Sequence, residues 1–154
     1  MSTMEVNMEG RYADIIAEKF EEVDIQFMKK EKEDEIIFLI PVPSENVPGL
    51  LVQLRTTKKG DVKLRCYIGQ SVPVSRQQAV IEECNRLNSE YRYVCLSLDE
   101  DGDICSAYDF ALFGDEEAVG ENVLSMLCLF LDITDKCIPT IMKEMWSEEQ
   151  EETM

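Results

Sequence analysis

The chain has 154 residues, 45% of them hydrophobic, with 15 basic against 32 acidic residues, no histidine and a formal net charge of −17. That length and apolar content suit one globular domain with a sizeable core. The charge excludes nucleic-acid backbones and anionic membranes as partners, since both repel such a chain, and leaves cationic partners or simple solubility as its use.

The N-terminus, MSTMEVNMEG, has no apolar segment of signal-peptide type, and residues 1–8 read as disordered. From Glu9 to Val23, the positions Tyr12, Ile15, Ile16, Phe20 and Val23 form one helical stripe with charges opposite. A short strand is expected over Ile25–Lys30. Glu35–Val42 (EIIFLIPV) is apolar on both faces and reads as a central strand, ended by Pro41 and Pro43. After the Pro48-Gly49 turn, Leu50, Val52 and Leu54 share one strand face. Val62, Leu64, Cys66 and Ile68 share the next, with Lys63, Arg65 and Tyr67 opposite. Both apolar faces fall on one side only if the loop is Lys58-Lys59-Gly60, three residues, with Thr57 opposite Asp61.

A second helix follows, with Ser75 and Gln78 spaced as a capping box and Val80, Cys84, Leu87 and Tyr91 as its stripe. Asn88 suits a left-handed C-terminal turn. The next hairpin obeys the same register argument. A two-residue turn would throw Ile104 to the wrong face. The three-residue loop Glu100-Asp101-Gly102 pairs Leu98 with Ile104 and gathers Val94, Leu96, Leu98, Ile104, Tyr108 and Phe110 on one side. The opposite face is then Cys95, Ser97, Cys105 and Ala107, small and uncharged. The last helix starts after Gly114 behind an acidic first turn. Around Val123–Ile133 it is apolar on most sides, yet too short to span a bilayer. Pro139 predicts a break or kink near Lys136–Pro139 and then a short helix carrying Ile141, Met142, Met145 and Trp146. The acidic 147–154 tail reads as disordered.

No arrangement of chemistry emerges. The cysteines at 66, 84, 95, 105, 128 and 137 include no C-x-x-C pair, and Cys66, Cys84 and Cys128 occupy apolar positions. They read as reduced cysteines used as small hydrophobes, without zinc or disulfide. Asp99-Glu100-Asp101-Gly102-Asp103 could hold calcium, but counting from Asp99 places Ile104 and Phe110 where a calcium loop needs Gly and Glu, so a tight turn is expected. A Ser or Cys nucleophile lacks a histidine base, and no phosphate-binding or nucleophile-elbow motif occurs. Acids are too abundant to single out a catalytic pair.

The element order, the segment NRLNSEYRYVCLSLDEDGDI, Leu87-Asn88 and Asp101-Gly102 opening the last strand together resemble the YbjN family of small bacterial proteins, over residues 9–146. Some members are labelled sensory transduction regulators. The family in turn resembles type III secretion chaperones, small acidic homodimers that bind unfolded segments of a partner without ATP. An extra early strand and Pro139 are departures from those chaperones. No catalytic residue is carried over.

The sequence therefore predicts an α+β domain over 9–146: a two-layer, twisted antiparallel sheet of about six strands with helices on one face, in the order α-β-β-β-β-α-β-β-α. The expected function is a non-enzymatic, cytoplasmic protein-binding module, chaperone-like or regulatory. It needs no cofactor or metal, makes a homodimer with a groove for a protein segment, and avoids nucleic acid and membrane. Cys95, Ser97, Cys105, Ala107, Phe130, Met142, Met145 and Trp146 are the expected partner or dimer surface. The alternatives are an acidic nucleic-acid mimic occupying a DNA-binding protein and a carboxylate-based enzyme.

Overall fold

A computed structural model describes residues 11–147, so the expectations for residues 1–8 and, Ser147 apart, for the tail lie outside the described residues. The elements are α1 (Tyr12–Glu22), β1 (Met28–Glu31), β2 (Ile36–Val42), β3 (Leu50–Thr56), β4 (Asp61–Gly69), α2 (Val74–Glu90), β5 (Cys95–Leu98), β6 (Ile104–Ala111) and α3 (Glu116–Trp146). The strands form one antiparallel sheet in the order β1-β2-β3-β4-β6-β5.

Period-two alternation decides which face the helices cover. Phe38, Ile40, Val52, Leu54, Val62, Leu64, Cys66, Leu96 and Ile104 are all buried on one side, against Ile15, Ile16 and Phe20 of α1, Val80, Cys84 and Leu87 of α2, and Val119, Val123, Leu127 and Phe130 of α3. α3 packs on α1, α2 and β4, which explains an apolar pattern reaching most of the way around it. One buried polar pair joins the layers: Ser106 of β6 and Thr134 of α3 share a hydrogen bond of 2.8 Å.

Both hairpins adopt the three-residue loop that the alternation requires. Leu98 pairs with Ile104, the Asp99 N–H donates to Asp103 O at 2.9 Å, and Gly102 has φ 80°. Thr56 pairs with Val62, Thr57 Oγ1 bonds Asp61 Oδ1 at 2.5 Å, and Gly60 has φ 83°. In each tip the glycine carbonyl also accepts a bond from another segment: Gly102 O from the Val72 N–H at 2.8 Å, Gly60 O from the Leu112 N–H at 2.7 Å.

The structure corrects several local expectations. β1 begins at Met28 rather than Ile25. β2 lies next to the edge strand, not in the centre, and Pro41 stands inside it, beyond the end of β1, where a missing N–H leaves no neighbour unsatisfied. α2 starts one residue before Ser75, behind Pro73 at φ −56° and ψ 140°, with no side-chain cap, so Ser75 lies too far inside the first turn to form the capping box. Asn88 stays helical. Its Nδ2 donates to Leu96 O at 2.9 Å and its Oδ1 accepts from the Leu96 N–H at 2.7 Å, tying down the free edge of β5. Tyr91 ends α2 rather than completing the buried stripe.

The largest correction concerns α3, one helix of 31 residues that runs through Pro139. A proline inside a helix orphans the carbonyl four residues earlier, here Asp135. Asn46, in the loop between β2 and β3, donates its Nδ2 to that carbonyl at 3.0 Å and to Asp135 Oδ1 at 3.1 Å, and Ser44 Oγ donates to the same carboxylate at 2.7 Å. The loop thus replaces the acceptor's lost partner, and the helix continues to the buried Ile141 and Met145. At its start Asp115 accepts from the Ala118 N–H at 2.9 Å. At its end Arg76 Nε donates to Glu144 O at 2.8 Å.

Two outcomes follow from these contacts. Gly102→Ala should cost about 1 kcal/mol in urea denaturation, from positive φ alone, since its Cβ would approach nothing closer than 3.4 Å; Gly60→Ala should cost more, because the Tyr12 ring stands 2.8 Å from the Cβ position. Asn46→Ala should cost roughly 0.5–1.5 kcal/mol, and less in a Pro139→Ala background, where the Asp135 carbonyl regains a helical donor. Equal costs in the two backgrounds would refute the compensation.

Candidate interaction surface

The face of the sheet away from the helices carries the side chains left over by the alternation, and the register places them in rows. Lys30, Ile37, Arg55, Lys63 and Asp109 lie across five strands. Met28, Leu39, Gln53, Arg65, Ala107 and Cys95 lie across all six. A third row contains Pro41 with Leu51, and Tyr67 with Cys105 and Ser97. Met28, Leu51 and Tyr67 are 64%, 51% and 44% exposed, an unusual number of large apolar groups for one open face. Ile37 is buried between its neighbours Lys30 and Arg55, apart from the main core, where long aliphatic stems can shield it.

Within the strands, this face carries more basic than acidic side chains, although the chain as a whole is acidic. Its strands present Lys30, Arg55, Lys63 and Arg65 against Asp61 and Asp109. Arg65 grips Asp109 through two bonds of 2.5 and 3.3 Å, and Arg55 Nη1 donates to Glu35 at 2.9 Å. The Asp109 carboxylate raises the Arg65 pKa further above its ordinary value. Exposed ion pairs of this kind fix side-chain positions more than they stabilise the fold.

The expected site residues separate into two groups. Cys95, Ser97, Cys105 and Ala107 do come together on the open face, Cys95 and Ser97 exposed and the other two half-buried. Phe130 and Met145 do not belong to a surface: they are 0% and 2% exposed, because the unbroken α3 turns both toward the sheet. Met142 is half-buried, and Trp146 is 61% exposed at the end of α3. Leu51, Tyr67 and Met28 were missed as surface candidates. For Leu51 and Tyr67 the signal was present in the alternation of LLVQLRT and DVKLRCYIG, where they occupy the positions opposite the core; the short, exposed β1 gave none for Met28.

The remaining chemistry is modest. All six cysteines are free thiols. Burial pushes Cys66 up to about 12 and Cys84 and Cys137 up to about 11, which keeps them protonated and poor nucleophiles. Cys105 is also raised, chiefly by burial, although Arg65 opposes the shift. Cys128 is exposed, against the expectation that it packs as a core residue, because it falls on the outer side of α3. The carboxylates of Asp99, Asp101 and Asp103 come within 4.8 Å of one another. Asp99 Oδ1 already accepts from the Asp101 and Asp103 N–H groups, each at 2.9 Å, and Asp103 Oδ1 from the Ser71 N–H at 2.9 Å. The turn itself therefore explains the cluster. Among the described residues no helix is long and apolar enough to cross a membrane.

No curated protein matches the chain. A solved structure described as "Crystal structure of YbjN, a putative transcription regulator from E. coli" superimposes with a TM-score of 0.59 at 10% identity, over 82% of this chain and 87% of that one, a likeness of fold. The YbjN family, described as "Putative bacterial sensory transduction regulator", matches residues 12–142, and the chain belongs to that family.

Proposed function

We propose that this chain is a non-enzymatic regulator that acts by binding protein, and that its open sheet face is the binding surface. The observation that carries the reading is the combination on that face of exposed Leu51, Tyr67 and Met28, the small group Cys95, Ser97, Cys105 and Ala107, and an excess of basic side chains in a chain of net charge −17. Small residues allow close approach, large apolar residues supply burial energy, and arginines fix orientation. The family description names a regulator, which agrees with a binding role.

Self-association through this face, as a homodimer that leaves a groove for a protein segment, fits the same features. A two-fold contact buries one patch against its own copy, and salt screens the repulsion between acidic bodies over about 8–10 Å. The burial of Phe130 and Met145 takes these two side chains out of such a contact, while Cys95 and Ser97 on the last hairpin and Trp146 at the end of α3 stay exposed. A nucleic-acid mimic would call for an ordered stripe of acids. Here acids on α1, α2 and α3 are interrupted by Lys19, Arg86 and Lys136, which pair with Glu22, Glu83 and Asp132.

Sedimentation equilibrium at micromolar concentration tests the assembly. Wild-type protein should sediment as a dimer, and Leu51→Glu with Tyr67→Glu, both at exposed positions, should give a folded monomer. A wild-type monomer in both low and moderate salt would overturn the dimer. For the partner, mass spectrometry of proteins retained by the wild type should identify a species that the double variant loses; retention by both would place binding elsewhere.

A further inference from the structure

We propose that the far half of β6, Tyr108–Ala111, is a docking edge for an extended segment of another polypeptide, one whose apolar side chains alternate with basic ones. β5 covers only the near half of β6, since its first residue, Cys95, lies opposite Ala107. β6 runs on to Ala111, where β4 is its only neighbouring strand among the described residues. The step between the two strands opens a hollow of about 430 Å³, bounded by Tyr93, Val94 and Cys95 on one side and by Tyr108 and Asp109 on the other.

The parity of the hydrogen-bond ladder decides what this edge offers. In an antiparallel pair, alternate residues turn their N–H and C=O groups to the same neighbour. The Asp99–Asp103 bond at 2.9 Å sets the odd-numbered residues of the hairpin toward each other. Leu112, an even-numbered residue, donates to Gly60 O on the β4 side at 2.7 Å. Asp109 and Ala111 therefore direct both backbone groups away from β4, into the space that β5 leaves empty. Among the described residues these groups have no partner, and both residues are exposed. The corresponding groups of Leu96 on β5 are occupied by Asn88, so the open edge is confined to β6. An N–H and a C=O repeated at every second residue is the pattern that pairs with an extended backbone.

Tyr93 keeps the edge open. It has φ 66°, a left-handed conformation that a bulky residue adopts only at a cost. In the register of β5 an extended Tyr93 would lie opposite Asp109 and cover it. Its ring instead packs edge-on against Tyr108 with centroids 5.6 Å apart, and Tyr108 stacks on Phe110 at 5.5 Å. Tyr108 and Phe110 are half-buried on the helix side, where the apolar side chains of an added strand would lie. Asp109 and Ala111 point to the other side. There the Asp109 carboxylate, paired with Arg65 yet 54% exposed, favours a basic residue opposite it. Asp115, Glu116 and Glu117, all exposed, follow the end of the strand, and the net charge of −17 favours a basic occupant over a second copy at this edge.

Fluorescence anisotropy of a labelled peptide alternating valine with lysine, titrated with the full chain, tests the edge. The peptide should bind saturably. N-methylation at its lysines, whose N–H groups would face β6, should abolish binding, and N-methylation at its valines should be tolerated, although all three peptides carry the same charge. Ala111→Pro removes one outward N–H and leaves the ladder to β4 intact; it should weaken binding about tenfold without lowering the melting temperature. In hydrogen exchange the Asp109 and Ala111 amides should be fast in the free chain and slowed by the peptide. No binding, equal binding of the two methylated peptides, or full affinity in Ala111→Pro would each overturn the proposal. Slow exchange of both amides in the free chain would show the edge already covered, by a second copy or by the chain itself, and would overturn it as well. The edge is separate from Leu51 and Tyr67, so these outcomes leave the reading of the open face untouched.

Discussion

One-sided burial is the constraint from which the rest of the molecule follows. Each strand from β2 to β6 gives alternate residues to a single apolar layer, and the three described helices cover the sheet on that side. α3 sits between α1 and α2 because it alone is apolar over enough of its circumference to be flanked on both sides. The open face is then a necessary remainder, and its composition is a separate choice. A face of lysine and glutamate would have kept the molecule inert; this one retains leucine, tyrosine, methionine and paired arginines.

Much of this was legible in the sequence, and what was legible shares a physical character. Strand faces and hairpin registers depend on nearest neighbours and a period of two, so Gly60 and Gly102 could be placed in their loops from the alternation alone. The set Cys95, Ser97, Cys105 and Ala107 followed from the same register. What escaped the sequence depends on residues far apart in the chain. Pro139 reads locally as a helix breaker, and only the arrival of Asn46 from the β2–β3 loop makes it tolerable. Phe130 and Met145 look like surface if the helix is broken and become core once it is continuous. Asn88 reads as a terminating residue until Leu96 is brought beside it.

The two ends of the sheet are guarded differently. β1 is short and carries Lys29 and Lys30, charges that discourage pairing with another strand. β5 is flanked instead by Asn88, which occupies both backbone groups of Leu96 on the outer side. Strand addition at β5 would have to displace that amide, so a partner meets the broad face of the sheet more readily than the edge of β5.

The Asn88 and Asn46 side chains perform the same local task, satisfying a backbone group that has lost its partner, yet they close very different lengths of chain. Asn88 joins residues 8 apart, and Asn46 joins residues 89 apart. Closing the longer span costs about 2 kcal/mol more in chain entropy. The first can therefore assemble with the last hairpin while most of the chain is still unfolded. The second must wait for the β2–β3 loop and the far half of α3 to meet. Helix continuity through Pro139 is in this sense a late product of folding, and the C-terminal turns of α3 depend for their order on a loop made nearly a hundred residues earlier.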